Sequence, residues 1–387
     1  MFNYFKRKNE CRYQIPDLKS VEFYQNFYKY YPLLQKKEVV YFKQSDCYGI
    51  FTFKLVKEIL TDAERFSTQV LKIQDKILLG AENKTHTTNK KYLFETLSFL
   101  KPNGNDDELF SDIWSVLKEN INKKNKFDIV QNLVEPFVFS YITRKLGIHK
   151  GFTDFDIFSC ENPIQKTIEN INMLYNDLSL IDEYVQKCIE ENIYSNEFKK
   201  LIEKINVNQK HNTEELTNFL KLLILAGIET TSSFLASGLY CFFTNNSVQE
   251  VLLKNSVMWD SFFEEVLRCF SPAQFTFRTN LETIQISGIE IPKGKTIALS
   301  IGAANKDDNY FPNANEFILN RTNKHIAFGL SKHKCVGERL AMYIANHFFK
   351  RFMYIQGDIK YLNKYGNHNN VFSFRINQII VEKNRLR

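Results

Sequence analysis

The chain is poor in the residues that staple or punctuate small folds: its 387 residues include 8 prolines, 14 glycines and 7 cysteines. The cysteines, at 11, 47, 160, 188, 241, 269 and 335, are odd in number and share no paired spacing. A disulfide framework is therefore not expected, and a reducing compartment is. No CxxC or HxxxH pair occurs, so a zinc site drawn from His325, His333 and Cys335 would lack a fourth ligand at a familiar spacing. No apolar run approaches the roughly 20 residues that span a bilayer. The start, Met1-Phe2-Asn3-Tyr4-Phe5-Lys6-Arg7-Lys8, has no apolar core or cleavage site of a secretory leader. The expectation is a soluble, cytoplasmic protein without a membrane anchor. Basic residues exceed acidic ones by only 7 and lie scattered, which argues against nucleic acid as a partner. Lys123-Lys124-Asn125-Lys126 reads as a solvated loop. No internal repeat, low-complexity tract or flexible interdomain linker is visible.

What the chain does have is an ordinary globular balance, 44% hydrophobic and 25% charged, over a length that buries a core without staples. Its many Phe, Tyr, Asn, Ile and Lys residues look like coding bias and carry no function. Val39-Val40-Tyr41-Phe42 and Gly49-Ile50-Phe51-Thr52 read as paired strands, followed by a helix near 54–60. From about 106 to 245 the apolar spacing is helical. Within it, Asn212 with Glu215 three residues on reads as a cap. The stretch 216–243 then continues without proline, predicting a helix of roughly 30 residues, about 45 Å long. Its middle, Leu222-Leu223-Ile224-Leu225-Ala226, is apolar on nearly all sides and should run through the interior. A further helix ends near Phe270, where Ser271-Pro272 breaks it. Ser287-Gly288 reads as a two-residue hairpin turn between short strands, and residues 305–324 as an irregular ordered loop. The fold class expected is mainly α with a smaller β part (α+β), in one domain over 1–387. A β-containing part of about 1–105 would precede an α-rich body of about 106–387 with short β hairpins.

Three segments carry chemistry. The first is Phe328-Gly329-Leu330-Ser331-Lys332-His333-Lys334-Cys335-Val336-Gly337, a glycine-punctuated loop that sets Cys335 just before a helix from Glu338. Helix N-termini favour negative charge, so this cysteine is placed to offer a thiolate. A lone cysteine there is more often a small buried hydrophobe. The second is Ala226-Gly227-Ile228-Glu229-Thr230-Thr231 inside the long helix. Gly and hydroxyl residues there can open the hydrogen-bond ladder to a water or ligand, and an acid beside an alcohol can relay protons. The bland alternative is close helix packing at Gly227 with Thr230 bonded to its own backbone. The third is Glu264-Glu265-Val266-Leu267-Arg268, where Glu265 and Arg268 share a face. Such a pair is worth about 0.2–0.5 kcal/mol if exposed, and more if it anchors a buried loop.

Ala-Gly-x-Glu-Thr, then Glu-x-x-Arg, then Phe-Gly-x-x-x-His-x-Cys-x-Gly, in that order, resemble the cytochrome P450 family of haem-thiolate monooxygenases, closest to the soluble bacterial type, from about Tyr48 onward. The resemblance implies the P450 fold, with the long central helix over a haem b. Cys335 then corresponds to the axial ligand of the haem iron, with Phe328 near its sulfur and Gly329 and Gly337 letting the loop turn beneath the porphyrin. His333 and Arg278 would serve haem propionates, as would His86 and Lys90, four residues apart. Ala226 and Gly227 would line the haem, Glu229 and Thr230 would be the catalytic acid and alcohol, and Glu265 and Arg268 would be structural. Some residues depart from the pattern. Ser331 replaces the second glycine of the loop, Lys90 stands for an arginine, and Asn83-Lys84-Thr85 lacks the usual Asp and Pro. Glu316 sits where many members carry an arginine, with Arg321 as the candidate substitute.

The function so implied is oxygen activation and hydroxylation or epoxidation of a largely apolar small molecule, in secondary metabolism, free or tethered to a carrier. Electrons would come ultimately from NAD(P)H through a ferredoxin or flavodoxin and its reductase, docking on Lys332, Lys334 and Arg339 of a monomer. The segment after Phe66-Ser67-Thr68, residues 150–205, Leu225 and Ala226, residues 273–277 and residues 366–374 would shape the pocket. The alternatives are a peroxide-driven haem-thiolate peroxygenase and a non-catalytic haem-binding sensor.

Overall fold

The structure, a computed structural model, describes residues 15–68, 106–147, 213–365 and 373–384, with scattered positions between 190 and 203. Helix α1 (Val21–Lys37) starts at Ser20, whose hydroxyl accepts the Phe23 N–H at 3.2 Å. Strands β1 (Val39–Phe42) and β2 (Cys47–Ile50) pair antiparallel, Val39 opposite Ile50. The second strand begins two residues before its predicted start because Cys47 and Tyr48 are paired on both sides, with β1 and with Thr296 and Ile297. Helix α2 (Phe53–Thr61) turns Phe53, Val56, Ile59 and Leu60 inward at helical spacing. Its Thr52 makes no side-chain cap, and Asp307 Oδ2 accepts the Phe53 N–H at 2.8 Å instead.

A five-stranded sheet runs β1-β2-β8-β5-β3, with β3 (Phe66–Ser67), β5 (Phe275–Asn280) and β8 (Thr296–Ser300). Strands β6 (Ile284–Ile286) and β7 (Ile289–Ile291) make the expected hairpin. Ser287 and Gly288 both have positive φ, 51° and 78°, the condition for a turn whose twist matches its strands.

The helical body comprises α3 (Asp106–Asn122), α4 (Glu135–Leu146), α5 (Thr213–Thr244), α6 (Asn246–Lys254), α7 (Trp259–Cys269), the short α8 (Ile301–Ala304) and α9 (Glu338–Phe352). This is the mainly α architecture with a smaller β part that the periodicity predicts. A strand, β4 (Lys126–Asp128), interrupts the stretch read as wholly helical. Its partner β10 (Gln378–Lys383) comes from the far end of the sequence, and β9 (Ile359–Tyr365) completes the sheet, so no local pattern could reveal it.

The central helix α5 has 32 residues, about 48 Å at 1.5 Å per residue, and is buried almost continuously from Thr231 to Phe242. It packs against α4, α7 and α9. Two glycines permit that approach: a Cβ at Gly227 would lie 3.1 Å from Ile142 Cδ1, and one at Gly238 2.8 Å from Phe349 Cζ. The Phe349 ring is itself fixed among Trp259, Phe262 and Phe263, with centroids 5.2–5.9 Å away. Gly238→Ala should therefore lower stability by about 1–2 kcal/mol in urea unfolding, overpacking outweighing the better helix former. Gly357→Ala, with nothing near its Cβ, should stay within about 0.5 kcal/mol of the parent.

Candidate active site

Arg268 is 1% exposed, and each of its five N–H donors has an acceptor. Nε and Nη2 bind the two Glu265 carboxylate oxygens at 2.7 and 2.8 Å. Nη1 donates to the Asn305 and Ala314 carbonyls, both at 2.8 Å, and Nη2 also reaches the Glu316 carbonyl at 2.9 Å. Glu265 Oε1 additionally accepts from Ile318 N and from Arg321 Nε, at 2.8 and 2.9 Å. The pair is thus buried and pins residues 305–321 to α7. Arg321 supplies the second guanidinium. Glu316 contributes its main-chain oxygen, so its departure from the usual arginine leaves the network intact.

That pinned segment leads into the cysteine loop. Asn305, fully buried, donates from Nδ2 to Ser271 Oγ and accepts the Ile326 N–H, both at 2.9 Å. Gly329 (φ 67°) and Ser331 (φ 58°) both take the left-handed backbone. A glycine would adopt that conformation at Ser331 without cost, whereas serine carries a penalty of about 1 kcal/mol or more. Cys335 N donates to Phe328 O at 2.8 Å, closing the loop, and α9 begins three residues later.

The Gly337 and Glu338 N–H groups hydrogen-bond the Cys335 sulfur. Burial nevertheless pushes the thiol above its usual range, with the Glu338 carboxylate adding to that, while the two amides and Lys334 favour the thiolate. Cys335 is exposed at the surface of its loop although protein atoms surround it closely. A Cβ on Gly337 would lie 3.7 Å from the sulfur. One sulfur with two amide donors and Lys334 nearby fits the thiolate ligand of a haem iron.

On α5 the ladder stays closed. The helix runs unbroken through 226–231, and Thr230 Oγ1 donates to Ala226 O at 2.6 Å. Of the two readings open at this turn, the structure shows the packed one, with Thr230 bonded to its own backbone and Gly227 in close contact with Ile142. Ala226 and Thr230, one turn apart, are nonetheless exposed on a helix otherwise buried beyond them. Glu229, half-buried, is held above the usual carboxylate range by burial, against the pull of Arg375 and a hydrogen bond from Ser373. Ser373 pairs with Ala273 in an isolated bridge, and Phe374 N donates to Pro272 O at 2.8 Å. Two of the predicted pocket segments, around 273 and 373, are thereby joined to each other and to Glu229.

Arg278, 4% exposed on β5, donates to Phe277 O at 2.7 Å. His333 lies half-buried in the loop's short 3-10 turn, and His86 and Lys90 lie outside the described residues. No group of three or more His, Cys, Asp or Glu side chains suited to a metal ion occurs among the described residues.

The sequence profile of the Cytochrome P450 family matches residues 96–354. The chain belongs to the cytochrome P450 family. It is 32% identical over 232 residues to the polyketide biosynthesis cytochrome P450 PksS of Bacillus subtilis, a match covering 58% of this chain and 57% of that one. It is 24% identical over 331 residues to cytochrome P450 109 of Bacillus spizizenii, covering 82% and 81%. The P450 fold is shared with CYP109E1 of Bacillus megaterium, solved with corticosterone, at a TM-score of 0.75 and 20% identity over 95% of this chain and 100% of the other. No described helix is long and apolar enough to cross a membrane.

Sequence reasoning did not single out Asn305, Asp307, Arg375 or Glu135, whose side chains make the buried contacts around these segments, while Ser373 lies in the predicted pocket segment 366–374. Arg375 offered one signal, a lone cation in the apolar run Phe-Ser-Phe-Arg-Ile. His325, beneath the loop, was weighed only as a zinc ligand. Its Nδ1 accepts the Ala327 N–H at 3.1 Å, and burial, with Lys324, Arg268 and Lys334 nearby, pushes it down to about 4. At neutral pH it is therefore uncharged, and the 3.5 Å approach of Glu264 to Nε2 is not an ion pair.

Two predictions follow from these contacts. Arg268→Lys cannot satisfy both Glu265 and the three carbonyls and should cost about 3 kcal/mol or more in urea unfolding, whereas Glu316→Gln should change stability by less than about 0.5 kcal/mol. Unfolded His325 gains a proton near pH 6.5 but the folded residue only near 4, so its contribution to stability is lost as pH falls between those values. Comparing urea unfolding of the parent and His325→Asn, the parent should lose roughly 2–3 kcal/mol more than the variant between pH 7 and pH 4.

Proposed function

We propose that this P450 is a haem-thiolate monooxygenase that takes electrons from an external partner and oxidises a largely apolar small molecule. The carrying observation is Cys335: one exposed sulfur, met by the Gly337 and Glu338 amides and placed by a loop that Arg268 and Asn305 hold. In this reading Cys335 binds the iron of haem b, Phe328 and the two glycines shape the loop beneath it, and His333 and Arg278 bind the propionates, together with His86 and Lys90. A thiolate-ligated haem supplies oxygen activation with cleavage of the O–O bond.

The protein's own share is proton supply and exclusion of water. Glu229, raised by burial, holds a proton at its carboxyl more readily than an exposed acid. Thr230 Oγ1, fixed by Ala226 O, presents its oxygen on the exposed turn of α5. The acid and alcohol together favour the monooxygenase over the peroxide-driven reading. Exposed Lys332 and Arg339 suit an acidic ferredoxin or flavodoxin, while Lys334 is engaged with Glu338 at 2.5 Å. The name of PksS, in polyketide biosynthesis, and the corticosterone in CYP109E1 support an apolar, secondary-metabolite-like substrate.

The test is the carbon-monoxide difference spectrum of the reduced, haem-loaded protein. The parent should show a band near 450 nm of the thiolate type, and Cys335→Ser should lose it while remaining folded by circular dichroism. A band retained by the variant would remove Cys335 from the iron.

A further inference from the structure

Away from the cysteine loop, the outer half of α9 meets the start of α3 through a polar junction that neither the proposed mechanism nor the family motifs use. Asp106, 2% exposed, opens α3. Its Oδ1 pairs with Lys145 Nζ of α4 at 2.6 Å, and its Oδ2 accepts from Tyr141 of α4 and Tyr343 of α9 at 3.4 and 3.3 Å. Tyr343, His347 and Arg351 follow one another at four-residue spacing and so share a face of α9. The His347 ring lies against Phe110 of α3, with centroids 4.4 Å apart and planes within 14°, and Tyr343 is 4.3 Å away. Arg351, 8% exposed, donates from Nη2 to Asp107 O at 2.8 Å and to Ser111 Oγ at 3.1 Å, and its guanidinium covers the Phe110 ring at 5.3 Å.

His347 Nδ1 is the decisive atom. Arg351 Nη1 lies 3.2 Å from it and Asp107 Oδ1 3.3 Å from it. A guanidinium only donates and a carboxylate only accepts, so one ring nitrogen cannot serve both in a single protonation state. Neutral His347, with its proton on Nε2, accepts from Arg351. The imidazolium carries a proton on Nδ1 that suits Asp107, and it sets a second positive charge against the guanidinium. The Asp107 side chain is 66% exposed, so solvent reaches the junction.

We propose that this junction is a pH-operated latch: neutral His347 holds Arg351 and closes α9 on α3, and protonation turns the same nitrogen to Asp107 and releases Arg351 Nη1. The charged groups around His347 are Asp107 and Asp106 of α3 and Arg351 and Lys350 of α9, with Lys145 of α4 acting on Asp106. Burial and the two α9 cations hold His347 below its usual range, against the pull of the two aspartates. The latch is therefore closed at neutral pH, and the stability it contributes is lost as pH falls through the ordinary histidine range. Helix α9 begins at Glu338, whose amide meets the Cys335 sulfur, so the latch grips the helix that leaves the candidate active site.

The experiment is an NMR titration of the full-length protein carrying ring-13C histidine, in the reduced carbon-monoxide form when haem is loaded, with His347→Gln identifying the resonance. Asp107→Asn should lower the His347 midpoint and Arg351→Gln should raise it, each by about half a pH unit, whereas Ser111→Ala, which removes an Arg351 acceptor but no charge, should stay near the parent. Amide hydrogen exchange then reads the release. Corrected for intrinsic rates, residues 110–113 of the parent should lose protection about twofold or more between pH 7 and pH 5. His347→Gln, which can accept from Arg351 but cannot gain a proton, should lose less than half as much. An unmoved midpoint in Asp107→Asn, a change at an exposed position that leaves Arg351 in place, would overturn the proposal. So would both charge variants shifting the midpoint the same way, or an equal loss of protection in His347→Gln.

Discussion

A guanidinium with no route to water governs this structure. Arg268 spends every donor, two on Glu265 and three on the carbonyls of Asn305, Ala314 and Glu316. Those carbonyls lie on a segment without regular structure, which would otherwise have many conformations to choose from. Burial makes the choice, because any arrangement that strands a donor costs on the order of 1–3 kcal/mol for that group alone. The segment then has one course, and the cysteine loop follows from it.

Side chains at the start of that segment extend the constraint outward. Asn305 joins the end of α7 to Ile326, and Asp307 caps α2, a helix some 250 residues earlier in the chain. The five-stranded sheet, the helical body and the cysteine loop are thus cross-linked by polar side chains within a few residues of one another. Two left-handed residues, Gly329 and Ser331, complete the turn toward Cys335. The chain accepts strain at Ser331 where a glycine would have relieved it, and the surrounding hydrogen bonds hold the loop in shape.

Elements written in local pattern could be read from the residues alone. The Ser287-Gly288 turn, the long central helix and the break at Ser271-Pro272 each depend on a few neighbouring positions. The three motifs were legible for the same reason. What stayed hidden was set by partners far away in sequence: β4, which exists only by pairing with β10, the Asp307 cap, and the ion pair of Arg375 with Glu135. Thr230 and Gly227 show a different limit. Both readings of that turn use the same residues, and only the closed ladder and the Ile142 contact decide for packing at Gly227. The exposed surface at Ala226 and Thr230 is compatible with either reading, so their chemistry rests on the proposed function. His86 and Lys90 lie outside the described residues, and their roles stay with the family resemblance.

Cys335 holds the tension on which the functional reading turns. Its sulfur has two amide donors yet sits where burial disfavours the thiolate. A cation bound at the sulfur would reverse that balance, and under the proposed function that cation is the haem iron. X-ray absorption at the iron edge of the ferric, haem-loaded protein tests this most directly. The account predicts one sulfur scatterer in the iron's first shell, lost in Cys335→Ala. A first shell of nitrogen and oxygen alone in the parent protein would contradict it.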